Sequence, residues 1–297
     1  MAEVQGVTRE LTIGEIVSKT FDLYRRNFVK YLIVFLVVEF IIGVLTTLLR
    51  SAVVLPTLPA NATSQDILNW LPGFFTALFY LVSLSIAISL VFTPVAEGST
   101  IKLASQEIEQ GKADLGASLR FAVSKLVWLW ALSIVVGVIV FLGVIALLVP
   151  GIILAIMFSL AVPVLLIENK GVLESMGRSR KLVDHRWGKT FGLLLVFVII
   201  VLIVSLVISY ISAPFGIASS IVNSVLSAFY GPLVPIALTV YYYSNVARLS
   251  PPPPQMGQAP MAPAAGVQPE TKFCPRCGTQ MASWASVCPK CGLQQPV

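Results

Sequence analysis

The sequence predicts an all-α polytopic membrane protein: about six transmembrane helices in three hairpins, cytoplasmic amphipathic helices, and a small C-terminal zinc ribbon. Three observations carry that expectation. Of the 297 residues 57% are hydrophobic and only 11% charged, whereas a water-soluble domain needs roughly a quarter of its residues charged. The mean hydropathy of +0.88 implies that lipid is the solvent for much of the chain. Finally, all four cysteines lie between positions 274 and 291, in two Cys-x-x-Cys pairs.

Residues 1–30 form the first element, a cytoplasmic amphipathic segment. Ile13, Ile16, Val17, Phe21, Tyr24 and Phe28 recur at helical spacing with charges between them, the pattern of a helix with one apolar face. Such a helix lies in the interface and extends its Lys and Arg tips to the headgroups. No cleavable signal peptide is expected, because the first long apolar run begins only near Phe28.

The six-span membrane domain covers 31–249, with apolar runs at 31–49, 74–96, 126–149, 151–167, 190–212 and 217–243. Each is long enough for about 30 Å of hydrocarbon at about 1.5 Å per residue. Only Pro150-Gly151 separates the third run from the fourth. Joined, they would make a helix of roughly 60 Å, twice the bilayer core. Pro-Gly is a strong helix breaker, so a hairpin turn is expected there. Ala213-Pro214-Phe215-Gly216 is the turn expected between the fifth and sixth runs. Amphipathic segments at 115–125 and 172–189 precede the second and third hairpins, as 13–30 precedes the first. The result is a loose threefold organisation.

Orientation follows from the cations. Arg9, Lys19, Arg25, Arg26 and Lys30 precede the first span; Lys102, Lys112, Arg120 and Lys125 follow the second. Lys170, Arg178, Arg180, Lys181, Arg186 and Lys189 follow the fourth; Arg248, Lys272, Arg276 and Lys290 follow the sixth. Only Arg50 of the 20 Lys and Arg residues falls on the other side. By the positive-inside rule both termini are cytoplasmic and the protein is a multi-pass protein of the cell membrane. The net charge of +6 is not expected to serve nucleic acid, because the basic residues lie beside apolar runs and form no single patch. Tyr24, Tyr31, Trp128, Trp130, Trp187 and the run Tyr241-Tyr242-Tyr243 stand near span ends, as an aromatic belt requires. Asn61-Ala62-Thr63 has the form of a glycosylation sequon, a tripeptide common by chance and expected to be unused.

The segment 250–271 changes character, opening with Pro251-Pro252-Pro253-Pro254. Too poor in large apolar residues to bury a core, it is expected to act as a semi-rigid, extended tether. Residues 272–297 then carry the strongest motif. Phe273-Cys274-Pro275-Arg276-Cys277-Gly278 is followed, after a spacer, by Cys288-Pro289-Lys290-Cys291-Gly292. Two-residue spacers let both sulfurs of a knuckle reach one ion, and each Gly relieves strain where the chain turns back to give N–H groups to sulfur. A closed set of soft thiolates favours zinc. Disulfides or redox chemistry fit less well on a cytosolic tail without a surrounding α/β domain. The expected cofactor is one structural zinc ion (Zn2+) on Cys274, Cys277, Cys288 and Cys291. So small a unit has too little core to fold without metal. It closely resembles the short zinc-ribbon modules at the ends of many prokaryotic membrane and regulatory proteins, and that resemblance implies a partner-binding surface. With four cysteine ligands no position is left open for catalysis.

Within the spans, Glu39 sits midway along the first. An ionisable group there is costly unless paired, protonated or facing water. It is read either as a coupling carboxylate or, more simply, as a protonated side chain hydrogen-bonded to a Ser or Thr on a neighbouring helix. Ser85 with Ser89 and Ser220 with Ser224 are small-xxx-small pairs that favour close helix packing. Pro163 is expected to kink the fourth span. His185, the only histidine, is expected to be a solvated residue on a cytoplasmic helix. Motifs such as His-Glu-x-x-His, phosphate-binding glycine loops and Gly-x-Ser-x-Gly do not occur, so no enzymatic activity is expected.

The stretch Ala161-Val162-Pro163-Val164-Leu165-Leu166-Ile167-Glu168-Asn169-Lys170-Gly171 runs on through Arg178, Ser179 and Arg180 to Trp187-Gly188. Together with 13–28, it resembles the membrane domain attached to some glycerophosphodiester phosphodiesterases, which also occurs alone in uncharacterised prokaryotic membrane proteins. That resemblance implies a stand-alone six-span bundle without the catalytic barrel. Glu168, at the end of the fourth span, is placed to pair with Arg178. The reading that best unites these features is a non-enzymatic scaffold or regulator that recruits a cytoplasmic protein through its zinc ribbon. A transporter or channel for a small or amphiphilic solute is the alternative, and a lipid-related enzyme component a second one.

Overall fold

A computed structural model describes residues 7–58, 61–249, 271–282, 285–288 and 290–294. It comprises two units, Met1–Ser250 and Pro251–Val297. The tether expected at 250–271 lies, except for its last residue, outside the described residues.

The first unit is all helix. Helix α1 (Ile13–Arg26) begins with a capping box, in which Thr12 Oγ1 accepts the Glu15 N–H and Glu15 accepts the Thr12 N–H. Its apolar face buries Ile16, Leu23 and Tyr24. Asn27 separates it from α2 (Phe28–Ala52). Helix α3 (Ser64–Gln110) starts at a second capping box on Thr63 and Asp66, runs for 47 residues, and stops at Gly111 with φ 67°. That length, about 70 Å, exceeds the expected span at 74–96. Part of the polar loop foreseen after it is in fact a helical continuation whose 98–108 stretch is largely buried. Next come α4 (Leu115–Ser124), α5 (Leu126–Ala146), α6 (Leu148–Phe158), α7 (Ala161–Ile167), α8 (Val172–Val183) and α9 (Trp187–Ser212). A 3-10 segment (Ala213–Ala218), α10 (Ser219–Ser227) and α11 (Leu233–Leu249) complete the unit.

This is a polytopic membrane protein. Five stretches, Phe28–Ala52, Ser64–Gln110, Leu126–Ala146, Leu148–Ile167 and Trp187–Gly216, are long and apolar enough to cross a bilayer. Their outward side chains are apolar: Phe79, Phe141, Ile145, Leu202 and Leu206 are all more than half exposed. In water such a belt would be a severe aggregation hazard, but in hydrocarbon it is the solvated surface. The three amphipathic segments are the separate helices α1, α4 and α8.

Four expectations need correction. The run 217–243 is not one helix, because α10 ends at Ser227 and α11 begins at Leu233. Pro232 has no N–H to donate back to Ala228, and Gly231 lies so close to Phe35 that a Cβ there would meet its ring at 2.5 Å. The break is tied down by Tyr24, whose hydroxyl donates to the Phe229 carbonyl at 2.6 Å. Beyond it, α11 is buried along most of its length from Leu233 to Asn245.

The turn between the third and fourth spans falls at Leu147 (φ −168°, ψ 147°), before Pro150-Gly151. Pro150 sits in the first turn of α6, where a missing N–H has no partner to lose. The glycines do the work of packing. A Cβ on Gly151 would lie 2.8 Å from the Val144 backbone nitrogen, and one on Gly143 would lie 3.1 Å from Gly151 Cα.

The fourth span itself breaks at Ser159-Leu160, between α6 and α7. Pro163 cannot bond to the carbonyl four residues back, which is that of Ser159. Ser179, reaching in from α8, repairs the interruption: its hydroxyl donates to the Met157 carbonyl at 2.8 Å and accepts from the Leu160 N–H at 3.2 Å. His185 is exposed as expected, yet it lies in the turn after α8 with φ 59° and not on a helix.

Candidate metal centre and intramembrane polar sites

The second unit is organised by two matched turns. Strands β1 (Thr271–Phe273) and β2 (Gln280–Ala282) pair antiparallel, with Phe273 opposite Gln280. Between them Cys274 accepts the Gly278 N–H at 2.8 Å on its carbonyl and donates its own N–H to Thr279 O at 3.0 Å. The second knuckle repeats this, with Gly292 N–H on Cys288 O at 2.9 Å and Cys288 N–H on Leu293 O at 3.0 Å. Gly278 and Gly292 have φ values of 70° and 69°, a conformation that residues with a Cβ resist. The sulfurs also accept backbone N–H groups: Arg276 and Cys277 to Cys274, Thr279 to Cys277, Leu293 to Cys291. These are the features foreseen from the spacing.

All four Sγ atoms lie within 4.8 Å of one another, with Cys274–Cys291 and Cys277–Cys288 separations of 3.6 Å. Sulfurs on a tetrahedral ion with 2.3 Å bonds would lie roughly 3.8 Å apart, so the four cysteines can hold one metal ion with little adjustment. The thiols are electrostatically uneven. The Thr279 hydroxyl and N–H draw Cys277 down to about 6. At Cys291 the Leu293 N–H is outweighed by burial and the neighbouring sulfurs, which push it up to about 12. A bound cation would remove that competition by stabilising every thiolate at once.

In the first unit the expected Glu168–Arg178 pair is present, with Arg178 Nε donating to Glu168 Oε1 at 3.0 Å. The same carboxylate accepts Lys170 Nζ at 2.6 Å and the Tyr242 hydroxyl at 3.0 Å. Burial alone would raise this carboxyl, but the Lys170, Arg178 and Tyr242 hydrogen bonds overcome it and hold Glu168 below the usual carboxylate range. The cluster fastens the end of α7 to α8 and α11. Glu39 is half-buried and hydrogen-bonded to the Ser227 side chain of α10, a contact open to either of its two readings.

Several polar residues escaped the sequence reading. Glu10 accepts Arg186 in a two-point bond, Nε at 2.7 Å and Nη2 at 2.9 Å, and also Lys189 Nζ at 2.6 Å. The Arg186 hydrogen bond, aided by Lys189, outweighs partial burial and holds Glu10 down at about 2. Glu107 is buried beside the Tyr31 hydroxyl. Neither pairing has a local sequence signal, since the partners are far apart in the chain.

One signal was available. Ser85, Ser89, Thr93 and Glu97 recur every four residues on α3, and they line a groove of about 430 Å³ with Ser133 of α5. Ser85 also borders a second cavity, of about 420 Å³, with Thr46 and Arg50 of α2, Ser209 and Ser212 of α9, and Ser220 and Asn223 of α10. Both members of the second serine pair, Ser220 and Ser224, border this cavity, and Ser224 also packs on Gly43, where a Cβ would meet it at 2.9 Å.

Residues 10–245 match an uncharacterised protein family, UPF0259. The chain belongs to that family. No curated protein and no solved structure matches it. The UPF0259 region contains Glu39, the Glu168–Arg178 cluster, Ser179 and both polar cavities, whereas the four cysteines lie beyond its end. In this UPF0259 chain the four-cysteine cluster and the membrane bundle are therefore distinct pieces of sequence as well as distinct structural units.

Proposed function

We propose that this chain is a non-enzymatic protein of the cell membrane, with both termini cytoplasmic, that scaffolds or regulates by recruiting a cytoplasmic protein through a zinc-loaded C-terminal ribbon. The observation that carries this reading is the cluster of four cysteines, Cys274, Cys277, Cys288 and Cys291, in a unit separate from the bundle. Four sulfur ligands suit zinc and leave no coordination position for substrate, so the ion serves to fold the surface that carries it. Nineteen of the 20 Lys and Arg residues share the side assigned to the cytoplasm, which puts the ribbon where a soluble partner can reach it. Affinity capture from detergent extracts, with the full chain and with a version ending at Leu249, tests the adaptor role. Partners that depend on the tail support it, and identical partner sets from both versions would remove it.

A second reading is favoured by one feature. Ser85 borders both the Arg50 cavity and the Glu97 groove, so a polar stripe on α3 from Ser85 to Glu97 joins the two. That lining suits a conduit for a small or amphiphilic solute. Reconstituted protein should then conduct a solute flux that Ser85→Leu blocks; flux indifferent to that substitution would reject the conduit.

A further inference from the structure

Arg50 stands apart from every other cation in the chain. No other Lys or Arg occurs between Lys30 and Lys102, and Arg50 forms no ion pair among the described residues. It occupies the last turn of α2, at the opposite end of that helix from Lys30, and borders the 420 Å³ cavity. No carboxylate lines the space, although the Thr46 and Ser212 hydroxyls already donate to carbonyls of their own helices. Ser220 Oγ is shielded from solvent and has no hydrogen-bond partner. The Asn223 amide likewise has no partner among the described residues. Arg50 itself is exposed, but an orphaned, shielded hydroxyl in the same lining is costly unless something accepts from it.

We propose that this cavity binds a phosphate-type oxyanion, carried on a lipid headgroup or free in solution. The planar guanidinium of Arg50 offers two parallel N–H groups to such an anion. Ser220 and Asn223 supply further donors, and the cavity is large enough for a headgroup. The exposed apolar faces of α2 and α3 beside it (Leu48, Val82, Ile86) provide a path for acyl chains. A cation in the last turn of a helix also complements the helix dipole. That role alone would give stability without any selectivity for phosphate, so binding measurements separate the two.

The full chain, purified in a neutral detergent, is titrated separately with phosphatidylglycerol, with diacylglycerol and with inorganic phosphate. Native mass spectrometry reads adducts, and the thermal midpoint reads stabilisation. Phosphatidylglycerol is expected to bind where diacylglycerol does not. Arg50→Gln should weaken that binding about tenfold or more, the cost of a lost charge-assisted contact. Arg50→Lys should retain part of it, and Arg120→Gln all of it. Inorganic phosphate that competes identifies a free anion as ligand, and lipid binding without that competition identifies the headgroup; either outcome supports the site. Equal phosphatidylglycerol affinity in the native chain and Arg50→Gln, or equal binding of diacylglycerol, overturns it. Should Arg50→Gln fail to fold, Ser220→Leu fills the cavity while keeping the charge, and binding undiminished in that variant overturns it equally.

Discussion

The membrane unit and the cysteine unit reach order by different routes. In the first, hundreds of apolar atoms face lipid, and the specific structure comes from close approaches and a few long-range polar ties. Gly151 on Val144, Ser179 across the α6–α7 break, and Glu10 on Arg186 and Lys189 are examples. The second has a small core, Cys274, Met281 and Cys288, with Leu293 packed against it. Its residues are held by two matched knuckle turns and a two-stranded pairing. One unit therefore depends on its solvent and its packing, whereas the other has little apolar core beyond its four clustered cysteines.

The largest expected effect follows directly. Cys288→Ser should abolish metal retention, measured as one zinc per chain in the native protein and none in the variant, and should unfold the cysteine unit. The bundle's thermal midpoint should not move; a shared loss of stability would show that the two units are coupled. Next in size is a change in the bundle alone. Gly151→Leu must displace Val144, and overpacking of that kind costs about 1–3 kcal/mol. Detergent-phase unfolding should record that loss while zinc content stays constant.

The smallest effect concerns the N-terminal tie. Glu10 is held at about 2 against an ordinary 4.5, a depressed carboxylate. Its contribution is fully present above about 4.5 and disappears as the pH falls through about 2. Hydrogen exchange of residues 10–16 should rise across that window in the native chain. Glu10→Gln should show the faster exchange already at pH 7 and a flatter response. Native exchange unchanged by acid would mean that Leu11, whose N–H donates to Ser244 Oγ at 2.8 Å, anchors the segment alone.

The corrected elements show where local pattern fails. Pro150-Gly151 looked like a turn because that pair breaks helices, but a proline in a first turn is harmless and the chain bent three residues earlier. Pro232 marked the broken sixth run, yet a run of apolar residues hides a break unless a neighbour such as Phe35 requires it. Glu10 and Glu107 gave no signal, because their partners are 176 and 76 residues away. The stripe Ser85, Ser89, Thr93 and Glu97 was present in the sequence at helical spacing and needed only to be followed beyond Ser89 to Thr93 and Glu97.

What the sequence determined by itself was everything set by local composition or short spacing. Apolar runs must leave water, amphipathic segments must lie between two media, and two Cys-x-x-Cys-Gly knuckles bring sulfurs together. Tertiary structure alone decided where the spans break, which partners Glu10 and Glu107 take, and that Arg50 shares a cavity with Ser220 and Asn223. Those outcomes depend on which distant surfaces meet. Burial and hydrogen-bond partners are properties of the assembled bundle, and no short window of residues encodes them.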